Sequence, residues 1–94
     1  MSKSIVSNEK VCLICDTPLN IHKHHIFEGT ANRKKSEEQG CWCYLCERHH
    51  NMSNEAVHFN YPFDITLKKF CQRIWEREKG TREDFIKIFG KSWM

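Results

Sequence analysis

The chain has 94 residues, with a formal net charge of +3, 29% charged residues and 39% hydrophobic residues. This length predicts one small domain. The hydrophobic core of such a domain is marginal, so a bound structural metal would add needed stability. The sequence pI near 8.6 is compatible with a polyanionic partner but does not identify one.

Six cysteines and six histidines stand out in so short a chain. Residues 1–10 are polar and lack the apolar core of a signal peptide, so we expect a reducing, cytoplasmic setting with metal-bound thiolates rather than disulfides. No apolar run approaches the length of a membrane span, and we expect no membrane association. The same ten residues are expected to form a flexible N-terminus.

The first motif along the chain is Cys12-x-x-Cys15, which is followed by turn residues at 16–18. This spacing is typical of a zinc knuckle, a tight turn that presents two thiolates to one ion. The alternative is a pair of buried apolar cysteines. We favour the knuckle because Cys46-x-x-His49 follows at a separation like that of zinc fingers.

Residues 19–27 alternate in side-chain character, which predicts a β-strand. The adjacent His24 and His25 would then face opposite sides of the sheet. One imidazole could bind a metal while its neighbour contacts a substrate. We interpret His22 as a polar histidine on the strand surface.

Residues 28–40 contain two glycines and no periodicity, which predicts a polar loop. Its cations Arg33, Lys34 and Lys35 could hold phosphate groups beside the histidine pair. A solvated charged loop is an equally good interpretation of the same three residues.

Residues 41–45 alternate again and predict a second strand, antiparallel to the first. Cys46 and His49 then fit a knuckle and the first helical turn that follows the strand, where both side chains can reach one tetrahedral zinc. Cys43-x-x-Cys46 is also an acceptable pair and would give a zinc with four thiolates. We prefer Cys46 with His49, so that Cys41, Cys43 and Cys71 are expected to be small buried hydrophobic residues.

Residues 52–62 have a composition that is poor for a helix interior. In a straight helix the Cα atoms of His50 and His58 would lie about 12 Å apart, too far to share an ion. Asn54 could share an ion with His50 at the i, i+4 spacing. Because the composition favours a turn that brings His58 back, we rank His58 above Asn54.

Two helices are predicted at the C-terminal end, the first over residues 64–79 with Asp64 as its cap and Gly80 as its end. Thr81 is expected to cap the second helix with Asp84 in a capping box, and Gly90 to end it. The expected packing residues are Leu67, Phe70, Cys71, Ile74 and Trp75 in the first helix, and Phe85, Ile86, Ile88 and Phe89 in the second.

The order strand, loop, strand, helix, with a histidine pair on the first strand and a histidine at the helix start, resembles the ββα-metal motif of HNH endonucleases. The chain is most similar to the small HNH proteins encoded by bacteriophages. The matching segments are Cys12-x-x-Cys15, His24-His25-Ile26-Phe27, residues 45–50, Val57-His58 and residues 82–90. Together they span nearly all of the chain beyond its first ten residues.

The resemblance implies an α+β fold that forms one nuclease domain over residues 11–94. Residues 11–62 would form the zinc knuckle and a zinc-stabilised, treble-clef-like ββα-metal core, and residues 63–94 two C-terminal helices. Structural zinc would be held by Cys12, Cys15, Cys46 and His49. A catalytic divalent ion would be held by His24, His50 and His58, and the ion could be Mg²⁺, Mn²⁺, Ni²⁺ or Zn²⁺.

The resemblance also implies that His25 is the general base that deprotonates the attacking water. The chain departs from the family at the motif asparagine, whose position is occupied by Cys41. Either Asn32 replaces it in orienting the loop of His25, or no residue does.

The implied activity is metal-dependent hydrolysis of DNA phosphodiester bonds inside a bacterial cell, with a phage or host protein as a further possible partner. The first alternative is a zinc-stabilised nucleic-acid-binding module without catalysis. The second is a structural zinc protein that docks a partner, for example in phage packaging. His25 separates the first two interpretations, because a binding module does not need a base beside a metal. The sequence does not indicate an oligomeric state.

Overall fold

The computed structural model describes residues 3–50, 57 and 60–94. These residues form an α+β structure in which a two-stranded antiparallel sheet is surrounded by helices, as predicted at the level of fold class. The elements in chain order are β1 (Ile21–His25), α1 (Thr30–Gln39), β2 (Trp42–Cys46), α2 (Glu47–His50), α3 (Tyr61–Glu78) and α4 (Arg82–Phe89). Within the described ranges, no helix combines the length and the apolar character needed to span a membrane.

The two strands pair in the register that places His24 opposite Cys43 and His25 opposite Trp42. Strand β1 is shorter than predicted and begins only at Ile21. Asn20 lies before it with a φ of 52°, a left-handed conformation that asparagine tolerates and that interrupts an extended chain. Alternation along β1 then places His24 and His25 on opposite faces, as predicted.

Helix α1 corrects the prediction of a polar loop over residues 28–40. Its residues are mostly good helix formers, but among residues 31–39 only Ser36 is buried, so no apolar periodicity marks the helix. The Ser36 hydroxyl donates to the Phe27 carbonyl and accepts from the Phe27 amide, which attaches the helix to the end of β1. Gly40 ends the helix at a φ of 74°, where glycine carries no Cβ penalty.

Helix α3 begins at Tyr61, three residues earlier than predicted, and Asn60 rather than Asp64 is its cap. The Asn60 side chain accepts from the amide of Phe63 at 3.1 Å, and Pro62 fits the first turn because the helix needs no amide hydrogen there. The predicted capping box of α4 is confirmed, since the Thr81 side chain accepts from the Asp84 amide and the Asp84 carboxylate accepts from the Thr81 amide.

Aromatic rings from the segment after β1, from α3, from α4 and from the C-terminus form the centre of the core. The ring of Phe27 lies 5.2 Å from that of Phe85 and 4.6 Å from that of Phe89, while Phe85 lies 5.4 Å from Trp75. Trp93 closes the cluster at 4.7 Å from Phe27. The cluster therefore fixes both C-terminal helices against the end of the sheet that carries the histidine pair.

One other expectation differs from the structure. Phe70 and Ile86, predicted to pack inward, are 47% and 39% exposed. Ser4, Ile5 and Val6, within the segment predicted to be flexible, contact the core. Buried Ser4 donates from its hydroxyl to the Trp42 carbonyl, and the Ile5 amide donates to the Gly40 carbonyl. The prediction was based on the polar composition of this segment, which does not reveal the hydrogen bonds that it makes with the rest of the chain.

Replacing Phe85 by alanine should lower the free energy of unfolding by about 3–5 kcal/mol, because it removes a fully buried ring that contacts four other aromatic rings. Ile86→Ala, on the exposed side of the same helix, is the matched control and should change stability by less than about 1 kcal/mol. Urea unfolding of the zinc-loaded protein measures both. Equal losses in the two variants would contradict the packing described here.

Candidate metal centre and adjoining pocket

Four predicted zinc ligands, Cys12, Cys15, Cys46 and His49, converge in the structure and could hold a zinc ion. The Cys15 and Cys46 sulfurs lie 3.7 Å apart, and the His49 Nδ1 lies 3.3 Å from the Cys46 sulfur and 3.5 Å from the Cys12 sulfur. Tetrahedral zinc with its usual bond lengths places two sulfurs about 3.8 Å apart and a sulfur and a nitrogen about 3.6 Å apart. The cluster therefore fits zinc with little movement.

The local chain conformation explains why these ligands meet. A tight turn at Cys12 is closed by the Asp16 amide donating to the Cys12 carbonyl, and Asp16 has a φ of 60°. The Leu13 amide donates to the Tyr44 carbonyl, which fastens this turn to β2. Cys46 ends that strand and α2 begins at once, so that the helix returns His49 to the same point.

The Cys12 sulfur lies in an environment that favours its ionised form. Burial by itself opposes ionisation, but the backbone amides of Cys46, Cys15 and Ile14 outweigh it and lower the Cys12 pKa from its usual 9.0 to about 6. Without metal, this thiolate's contribution to stability is complete above about pH 9 and is lost as the pH falls through about 6. A thiolate at neutral pH is the form that binds zinc.

The other three cysteines, Cys41, Cys43 and Cys71, are buried, as predicted, and none of them belongs to this cluster. Burial raises the pKa of Cys43 to about 12, which keeps it a neutral thiol. A hydrogen bond with Cys41, together with burial, also raises the pKa of Cys71. The arrangement favours the zinc set with His49 over the alternative with Cys43.

A pocket of about 450 Å³ opens beside the zinc cluster, at the end of β1. It is lined by Lys23, His24, His25, Glu28, Gly29, Arg33 and His50. Three predicted site histidines and one of the three predicted phosphate-binding cations thus line one pocket. Lys34 and Lys35 do not line it, and Lys34 is exposed on the surface of α1.

On one face of β1, His24 and His50 lie next to each other with ring centroids 5.4 Å apart. His24 is only 2% exposed. His22, interpreted from sequence as a surface histidine, also belongs to this group, because its Nδ1 lies 3.0 Å from the Nδ1 of His50. The third predicted ligand, His58, and its alternative Asn54 lie outside the described residues.

On the opposite face of β1, His25 is joined to a carboxylate that sequence reasoning did not single out. The His25 Nε2 lies 3.0 Å from Oε1 of Glu37 in α1. The Lys23 Nζ lies 2.7 and 2.9 Å from the two Glu37 oxygens and 4.1 Å from the centroid of the Trp42 ring. Hydrogen bonds from Lys23 and His25 hold the pKa of Glu37 below its usual value.

Ionised Glu37 can only accept hydrogen bonds, so the neutral His25 ring presents its proton at Nε2. Its Nδ1 is then the basic nitrogen that can take a proton from another molecule. Asn32 takes no part in this arrangement. Its side-chain amide donates to the Phe89 carbonyl at 3.5 Å, and it lies about 140° around α1 from Glu37.

Two further acidic residues come close to His24. Ligand atoms of His24, Glu28 and Asp64 all lie within 4.8 Å of one another. Glu28 lies four residues beyond His24, and Asp64 comes from the first turn of α3. The sequence offered only a cap assignment for Asp64, and the juxtaposition across 40 residues depends on the packing of α3.

Comparisons of this chain with protein-family models, with curated proteins and with solved structures found no match. The HNH resemblance therefore has no support from these comparisons.

The wild-type protein should bind about one zinc per chain tightly, and Cys12→Ser should abolish this binding. The substitution should also remove much of the free energy of unfolding, because metal binding and folding are coupled in so small a domain. Elemental analysis after dialysis and thermal unfolding measure the two effects. Cys43→Ser is the matched control and should keep its zinc. Zinc retained by Cys12→Ser, or lost from Cys43→Ser, would contradict the ligand set.

Proposed function

We propose that this protein is a metal-dependent endonuclease of the ββα-metal HNH type that hydrolyses DNA phosphodiester bonds. One observation carries the proposal: a single polar pocket contains a histidine oriented by a carboxylate, two adjacent histidines suited to a metal, and a guanidinium group. Phosphodiester hydrolysis needs a base for water, compensation of negative charge on the phosphate and help for the leaving oxygen.

His25 is the residue proposed to activate water. Glu37 fixes the ring through Nε2 and leaves Nδ1 as the proton acceptor. Lys23 of β1 contacts both the Glu37 carboxylate and the ring of Trp42. Strand β1 and helix α1 therefore hold His25 and Glu37 in a fixed arrangement. Such support keeps a catalytic group in a productive orientation.

His24 and His50 are proposed to hold a divalent ion on the other side of the strand, with His58 as a further candidate. Such an ion would neutralise charge on the phosphate and on the departing 3′-oxygen. Imidazole ligands suit Mn²⁺, Ni²⁺ and Zn²⁺, whereas Mg²⁺ prefers oxygen ligands. The zinc cluster would help to fix the position of His50, because His49 and His50 are consecutive residues of α2.

Arg33 is proposed to contact the phosphate of the DNA backbone directly, since its side chain lines the pocket. Lys34 and Lys35 follow it on the same helix and would contact phosphates further along the strand. Their contribution would be electrostatic and insensitive to base sequence. Low sequence specificity is therefore expected of cleavage.

Removing the base should separate catalysis from binding. His25→Ala should reduce nicking of supercoiled plasmid by roughly two to four orders of magnitude, the usual contribution of a general base. Zinc content should remain that of the wild type because His25 lies outside the zinc cluster. DNA affinity, measured at one fixed salt concentration, should also be retained. Nicking by this variant at near wild-type rate would favour the non-catalytic nucleic-acid-binding interpretation.

The role of Glu37 gives a second test. Glu37→Gln should lower kcat by roughly 10- to 100-fold, with KM for DNA little changed, because the histidine loses the charged partner that fixes its tautomer. Nitrogen NMR of the His25 ring should show mixed tautomers in the variant and the Nε2-protonated form in the wild type. Glu38→Gln, on the exposed side of α1, is the control. Unchanged tautomer and kcat in Glu37→Gln would show that the carboxylate does not orient His25.

A further inference from the structure

We propose that His24, Glu28 and Asp64 bind one divalent cation through one imidazole nitrogen and two carboxylate oxygens. The existence of this site stands on its own geometry, whereas its part in DNA cleavage rests on the proposed function. It would supply oxygen ligands that the histidines of the pocket lack. The ion would then be of the class that prefers mixed nitrogen and oxygen coordination, such as Mn²⁺.

The spacing of the three side chains is close to that of a coordination sphere. Ligand atoms about 2.1 Å from an ion lie about 3 Å apart when adjacent and about 4.2 Å apart when opposite. The corresponding atoms of His24, Glu28 and Asp64 all lie within 4.8 Å of one another. Small side-chain rotations would bring them to an ion, because they converge from three different segments of the fold.

A buried carboxylate oxygen of Asp64 independently favours a cation at this position. Its Oδ2 accepts from Lys68 at 2.7 Å, one turn further along α3. Its Oδ1 is buried and has no hydrogen-bond partner among the described residues. A buried carboxylate oxygen without a hydrogen bond destabilises the folded state. A cation bound between Asp64 and His24 would satisfy this oxygen. Asn60 caps the helix, so the Asp64 carboxylate is not needed for that purpose.

The donor set also distinguishes this site from the zinc cluster. Cys12, Cys15 and Cys46 offer soft thiolates, which select zinc. The site at His24 offers two carboxylates, whose charges would together balance a divalent ion. Hard and borderline cations with some bound water suit such a site. The two ligand groups therefore differ in the metals that they favour.

The position of the site connects it to the pocket. His24 and Glu28 both line that pocket, together with His25 and Arg33. The ion is the one that the proposed function assigns to His24 and His50, and with Glu28 and Asp64 as further ligands a six-coordinate ion keeps two positions open for water and for a phosphate oxygen. Asp64 meanwhile belongs to α3, so the ion would join the start of this helix to β1.

The test is Mn²⁺ binding to the full chain with its zinc in place, measured by the loss of the free Mn²⁺ resonance in electron paramagnetic spectra. Wild type should bind one Mn²⁺ per chain and melt at a higher temperature when Mn²⁺ is present. Asp64→Asn and Glu28→Gln keep the shape of each side chain and should each raise the Kd at least about 10-fold. Glu78→Gln removes a carboxylate from the last turn of α3 and should bind as wild type does.

The outcomes separate this site from the proposed function. Weakened Mn²⁺ binding in Asp64→Asn and Glu28→Gln supports the site even if no variant, nor the wild type, nicks DNA; that result would overturn only the nuclease. Wild-type Mn²⁺ affinity in both variants, or no Mn²⁺ binding by the wild type, would overturn the site. Nicking by Asp64→Asn with an unchanged Mn²⁺ dependence would do the same while leaving the nuclease in place. Thermal unfolding without Mn²⁺ checks that each variant is folded.

Discussion

The convergence of three sulfurs and one imidazole beside the sheet is the constraint on which the rest of this structure depends. The N-terminal turn, the end of β2 and the start of α2 meet where Cys12, Cys46 and His49 come together. Because His50 is the next residue of α2, the position of the pocket follows from the position of this cluster. The aromatic cluster around Phe27 and Phe85 fixes the opposite end of β1. The adjacent His24 and His25 of β1 thus lie between two fixed points.

Features that depend on local spacing were predictable from the sequence. Cys-x-x-Cys and Cys-x-x-His place ligands a few residues apart, so their geometry changes little with the rest of the fold. The alternation that separates His24 from His25 is equally local, as is the capping box of Thr81 and Asp84. Within each pair the two residues lie no more than three positions apart, whereas the meeting of the two zinc-ligand pairs depends on the fold.

Features that depend on tertiary packing were not predictable in this way. Helix α1 has no hydrophobic pattern in the sequence, because the buried residue among positions 31–39 is Ser36. Glu37 and Asp64 are acidic residues of a kind that is common on protein surfaces. They come close to the histidines of β1 only when α1 and α3 pack near that strand. Asp64 also fitted a simpler role as a helix cap, which Asn60 performs instead. The acidic part of the site was therefore hidden, whereas its histidines were not.

The shared carboxylate of Glu37 has a consequence for the charge of the pocket during the proposed reaction. Lys23, Glu37 and a neutral His25 together carry no net charge, although Lys23 and Glu37 are both ionised. Once His25 takes a proton from water, the same three side chains carry one positive charge. This charge arises at the moment when the attacked phosphate gains negative charge, and it lies in the pocket that also contains Arg33. These three side chains would thus stabilise the negative charge of the phosphate only after the proton has been transferred to His25.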